Sequence, residues 1–148
     1  MNKTICLPVV LACARGMASP VDARDTRYRV PIAPALEADD ARGKLDGSIQ
    51  FYFGDQETPE VLTRIRTDVT NQKTNAVGKS DEFACNWVFL SAMIQLQKRA
   101  KELGANAVIN IVSYYKKNTM LSTTEFECHV GAIIAGAALR GEFVKIAD

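Results

Sequence analysis

Phe89, Met93, Leu96, Ala100 and Leu103 recur at steps of three and four residues, which puts them on one apolar stripe of a helix. Ser80 stands where an N-cap would satisfy the first free amides, and Asp81 and Glu82 follow at the positive end of the helix dipole. Lys98, Arg99 and Lys101 fall in the last turns, and Gly104 supplies a terminating residue. Elsewhere the period is two. Thr63, Ile65, Thr67 and Val69 alternate with Arg64, Arg66 and Asp68, the pattern of a strand with one wet face. Ile49 to Phe53 is an aromatic-rich β run stopped by the turn pair Gly54-Asp55, whereas Thr70 to Ser80 reads as polar and turn-rich.

Ala107 to Tyr115 is dense in β-branched and aromatic residues, and Lys116 to Asn118 form a polar turn ahead of a second run beginning near Leu121. The expected product is an antiparallel hairpin. On its second strand Phe126, Cys128 and Val130 would face the core, while Glu125, Glu127 and His129 share the opposite face. Gly131 to Leu139 is too rich in Gly and Ala for a surface helix and reads as a continuing strand with a glycine kink, followed by a short strand at Phe143 to Ile146. Residues 24 to 47, with Pro31, Pro34, Gly43 and Gly47, suit an arm with at most one short helix around Ala33 to Lys44. These elements predict an α+β fold over residues 48–148: one main helix packed on a small antiparallel or mixed sheet, with an N-terminal arm.

The first 23 residues have a different layout. Lys3 precedes an apolar stretch from Ile5 to Ala14, and small residues follow, the order of a secretory signal with cleavage after Ala18 or Ala23. Pro8 and Arg15 are atypical of such a segment, and a cytosolic chain with a ragged N-terminus is the alternative. Val10, Leu11 and Ala12 before Cys13 also resemble a degenerate lipobox, which would make Cys13 an acylated N-terminus. Ordinary cleavage removes Cys6 and Cys13 and leaves Cys85 and Cys128. An even remainder in an oxidising compartment suggests a bridge, with two buried free thiols as the alternative; no Cys-X-X-Cys spacing and a single histidine argue against zinc. A length of 148 residues, 47% hydrophobic and with a net charge of +1, fits one globular domain and gives no positive field for nucleic acid or an anionic membrane. The mature chain has no apolar run long enough to span a bilayer.

The order of helix, Leu103-Gly104-Ala105-Asn106-Ala107-Val108-Ile109, hairpin and a Gly/Ala-rich strand after a cysteine resembles the RcsF-like family of small bacterial envelope proteins. It is also similar to the YbjQ-like family, described as metal-binding, over about residues 60–140. The first resemblance implies a bridge between a cysteine ahead of the helix and one on the late strand, which here fall on Cys85 and Cys128; the family's second bridge has no counterpart. The chain is similar, too, to sequences labelled excinuclease ATPase subunit. That activity is excluded, because Gly78-Lys79-Ser80 imitates only the end of a P-loop and Lys73 occupies the place of its first glycine.

Glu125, Glu127 and His129 are candidate ligands for a divalent metal, although alternate strand residues lie about 7 Å apart and a straight strand would not bring all three to one ion. A solvated polar face is the plainer account. His129 as a general base lacks any motif tying it to a nucleophile. Trp87, Tyr52, Tyr114 and Tyr115 fit packing better than a ligand pocket, and Lys116 and Lys117 a solubilising tip. The leading expectation is an exported, non-enzymatic binding or envelope-sensing domain without a cofactor, periplasmic or secreted, whose partner is an envelope protein or itself. It would be anchored to the outer membrane only through an acylated Cys13. The alternatives are a metal-binding protein and a structural protein that self-assembles through strand edges.

Overall fold

A computed structural model describes residues 24–148; the signal-type segment, Cys6 and Cys13 lie outside the described residues. In chain order the elements are β1 (Thr26–Pro31), α1 (Ile32–Glu37), α2 (Asp39–Lys44), β2 (Gln50–Phe53), β3 (Val61–Asn75), α3 (Asp81–Leu103), β4 (Ala107–Ser113), β5 (Glu125–Val130) and β6 (Ile134–Ile146). The architecture is α+β, with a six-stranded mixed sheet ordered β1-β5-β6-β4-β2 and β3 laid along the remaining edge of β6.

The long helix begins and ends where local chemistry requires. The Ser80 hydroxyl accepts from the Phe83 amide, a cap that contributes about 1 kcal/mol, and Gly104 takes the left-handed conformation at φ 72°. At 23 residues α3 is roughly 35 Å long, enough to cross the whole sheet. Its stripe meets the odd-numbered face of β6 (Ala135, Ala137, Leu139, Phe143) together with Val108, Ile111, Phe126, Cys128 and Val130 in one core. Phe89 lies at the centre, stacked on Phe126 at 4.1 Å between ring centroids and tilted against Phe53 at 6.2 Å.

β6 organises the sheet. One edge pairs with β3 along its whole length, from Val61↔Ile146 to Asn75↔Ile134; the other is shared, β5 taking Gly136 and Ala135 and β4 taking Leu139 to Val144. Its first half is made of small residues, Ala135, Gly136, Ala137 and Ala138, and larger ones follow at Leu139 and Phe143. Gly141 is the tightest point: a Cβ there would lie 2.5 Å from Val108 Cγ1 and 3.5 Å from Ile111 Cγ1, both on buried side chains.

Several expectations are corrected by this pairing. The expected β4–β5 hairpin does not form, because β2 (parallel) and β6 occupy both edges of β4 and leave only the isolated Ser113↔Met120 bridge. β5 instead pairs over six residues with β1, inside the segment expected to be an arm, and that segment also holds two short helices where at most one was expected. Thr70 to Asn75 belong to β3 and not to a loop, since an edge strand tolerates Asn71, Lys73 and Asn75 on its wet side while its backbone pairs with the Ala/Gly stretch of β6. The chain reverses at Gly131 to Ile133, so Gly131 to Leu139 does not continue β5, and β6 runs unbroken to Ile146. The Gly/Ala-rich strand is therefore interior and offers no edge for self-assembly.

Gly141→Ala should destabilise the protein by about 1–3 kcal/mol, because the added methyl overpacks a β-branched neighbour that cannot swing away. A lower urea midpoint with an unchanged slope is the expected result; an unchanged midpoint would mean that Val108 has room to shift.

Candidate functional site

The β1–β5 ribbon carries the densest chemistry of the described residues on both of its faces. On the inner face Cys128 is bonded to Cys85 of α3, with Cα atoms 5.8 Å apart, and the two residues are 0% and 1% exposed. Strand phasing puts Cys128 inward between Phe126 and Val130, and Cys85 sits one turn into α3, where the helix crosses the ribbon. Just above the bridge the Tyr28 hydroxyl donates to Asp81 Oδ2 at 2.5 Å, and Arg24 forms an ion pair with the same carboxylate. The hydroxyl, helped by Arg24, holds the Asp81 carboxyl below the usual carboxylate range, while sharing its proton with that carboxylate pushes the Tyr28 phenol up. β1 is thus tied to β5 by its ladder and to the start of α3 by the charge-assisted bonds of Tyr28 and the preceding Arg24.

The outer face holds the predicted polar residues, arranged as a chain and not as a cluster. His129 Nε2 lies 2.7 Å from Glu127 Oε1, and His129 Nδ1 lies 3.0 Å from Asp25 Oδ1. Glu127 is only 5% exposed, and its carboxylate also meets Arg27 Nε at 2.9 Å. Glu125 stands apart, paired with Arg29 at 3.5 Å. The Tyr115 ring, from a single 3-10 turn at Tyr115–Lys117, stacks on the imidazole at 3.6 Å and lies over Gly136. The two nitrogens of an imidazole point in divergent directions, so one ion cannot meet Asp25, Glu127 and His129 together, and the carboxylates already face arginines or the ring. No group of three or more His, Cys, Asp or Glu side chains among the described residues is arranged to hold a metal ion.

The structure thus brings Glu127 and His129 together, leaves Glu125 with a separate partner, and adds Asp25, Arg27 and Tyr115, which the sequence reading did not assign to the site. Alternation of Tyr28 and Val30 with Arg27 and Arg29 is a strand signal that would have found β1, and β1 delivers Arg27. Nothing in the sequence marks the contact between Asp25 and His129, 104 residues apart. The other aromatic residues pack: Trp87 stacks on Phe83 under Lys44, Tyr114 carries the Arg140 guanidinium, and Tyr52 covers a small cluster of Ala107, Ile109, Val144 and Ile146.

An open groove of about 470 Å³ lies between β3 and α3, and most of its charges are mutually engaged. Asp68 pairs with Arg66 at 2.8 Å and Arg99 at 3.5 Å, and Arg99 also reaches Glu102 at 3.7 Å. A smaller hollow of about 110 Å³ lies between α3 and the α1–α2 junction, where Asn86 Oδ1 is buried without a hydrogen-bond partner. No helix among the described residues is long and apolar enough to cross a membrane. No family model, curated protein or solved structure matches the chain.

Glu127→Gln keeps the shape of the side chain and removes its charge. We expect a loss of about 1–2 kcal/mol, the lower part of the range for charged hydrogen bonds because Arg27 is largely exposed, read by urea unfolding. A variant as stable as the wild type would reduce the outer-face chain to a solvated ornament of the strand.

Proposed function

We propose that this chain is an exported, non-enzymatic binding or envelope-sensing domain held in shape by its disulfide. The observation that carries this reading is the Cys85–Cys128 bridge, closed between α3 and β5 in the interior of the fold. Structural bridges of this kind persist in oxidising compartments, and the layout of the first 23 residues suits delivery to one. The resemblance to RcsF-like envelope proteins points to the same two cysteines.

The test is a mass spectrum of the protein isolated from separated cell fractions. The expected species lacks an N-terminal segment ending near Ala18 or Ala23, is two hydrogens lighter than its reduced form, and is found outside the cytoplasm. An acylated Cys13 would refine the location to a membrane-anchored form. A full-length, reduced, cytosolic species would overturn the reading.

A further inference from the structure

The face of α3 that meets the α1–α2 segment is built differently from its core stripe. Phe83, Asn86, Trp87 and Leu90 follow one another at helical spacing and, with Ala38 and Asp40 from the junction, line the hollow of about 110 Å³. Leu90, only 4% exposed, gives it a buried apolar wall, and Phe83, 50% exposed, stacks on Trp87 with ring centroids 6.3 Å apart. Two acceptors in this apolar and aromatic setting lack a donor. Asn86 Oδ1 is buried without a hydrogen-bond partner, and the Asp40 carboxylate enters none of the ion pairs of the described residues. A buried oxygen left unpaired has given up its hydration for no return, so a guest that brings a donor is favoured.

The surroundings give that donor its charge. Lys44 Nζ lies 4.4 Å from the Trp87 ring centroid, so the indole already attracts an ammonium of the chain's own. Glu37 and Asp39 adjoin the lining residues in sequence and Glu82 precedes Asn86 by one turn, and with Asp40 these carboxylates outnumber Arg42 and Lys44. One carboxylate, one amide oxygen and apolar walls suit an organic cation, and no three His, Cys, Asp or Glu side chains of the described residues are grouped to hold a metal ion. At about 30 Å³ per water-sized group, the hollow admits roughly three or four such groups, the end of a short alkyl chain.

We propose that this hollow binds a primary alkylammonium group, its methylenes against Leu90, Phe83 and Trp87 and its charge shared between Asp40 and Asn86. The terminal torsion of Asn is broad, so Oδ1 can turn from its buried position to accept from the guest. A free amine and the lysine side chain of a partner offer the same chemistry, and the test separates them. The proposal goes beyond the export reading and does not rest on it.

Trp87 is the chain's single tryptophan, so its fluorescence reports on this hollow alone. The bridged protein is titrated, by fluorescence and by calorimetry at constant ionic strength, with n-butylammonium and with Nα-acetyl-lysine methylamide; butyrate and n-butanol are the anionic and neutral controls. The expected result is saturable binding of the ammonium ligands alone, in the millimolar range that so few heavy atoms allow. Asp40→Asn should weaken it at least about threefold, and Asp40→Asn combined with Asn86→Leu at least about tenfold. Asn86→Leu removes an unpaired polar atom, so the double variant should keep the urea midpoint of the wild type, which separates lost binding from lost folding. Tighter binding of the lysine derivative would identify a partner's lysine as the guest, and tighter binding of butylammonium a free amine. No saturable signal with either ammonium, an equal response to butyrate or butanol, or a folded double variant that binds like the wild type would each overturn the proposal. A processed, bridged protein that ignores both ammonium ligands would remove the hollow as a site and leave the export reading intact.

Discussion

The β1–β5 ribbon is attached to the rest of the sheet by two residue pairs, His129↔Gly136 and Val130↔Ala135. A ladder that short cannot fix the angle of a six-residue ribbon, and beyond it β5 diverges from β6 so that β4 can take over the shared edge. What sets the ribbon's position is α3. The disulfide joins Cys128 to Cys85, Phe126 stacks on Phe89, and Tyr28 reaches Asp81, three contacts on successive turns at the start of the helix. The covalent contact closes a separation of 43 residues, worth about 4 kcal/mol in the chain-entropy account. Both faces of the ribbon inherit that constraint, because the outer chain of Asp25, His129 and Glu127 is assembled only when β1 and β5 lie side by side.

The small residues of β6 are the other half of the same design. Gly141 leaves no room for a Cβ beside Val108 and Gly136 lies beneath Tyr115, while Leu139 and Phe143 supply the bulk of the helix face beside Ala135 and Ala137. Of the three edge strands, β1, β2 and β3, the longest is β3, where Arg64, Arg66 and Lys73 discourage pairing with another chain. Edge protection and core packing are thus divided between two partner strands.

What the sequence makes legible divides along the line between local and non-local physics. The helix from Asp81 to Leu103 is readable because its cap, stripe and terminating glycine are all local, and the inward phasing of Cys128 is readable because strand alternation is local too. Partner choice is not. Nothing in residues 107–130 tells β4 to take β2 and β6 in place of the strand that follows it, since the competition is decided by β2 and β6, which lie outside that stretch of the chain. β1 was masked by Pro31 and by the Ala- and Asp-rich helices behind it, although Tyr28 and Val30 alternate correctly. The outer face was half legible: phasing grouped Glu125, Glu127 and His129, but only the fold shows which arginine or carboxylate each one meets.

Hydrogen exchange on a Cys85→Ala/Cys128→Ala variant tests the role of the bridge most directly. If the disulfide clamps the ribbon, amides of β1 and β5 in the variant should exchange through local opening well ahead of those in β3, β4 and β6, a separation much smaller in the bridged protein. If β1 and β5 in the variant remain protected to the same degree as β6, the two-pair ladder and the aromatic packing hold the ribbon unaided, and the disulfide does not position it.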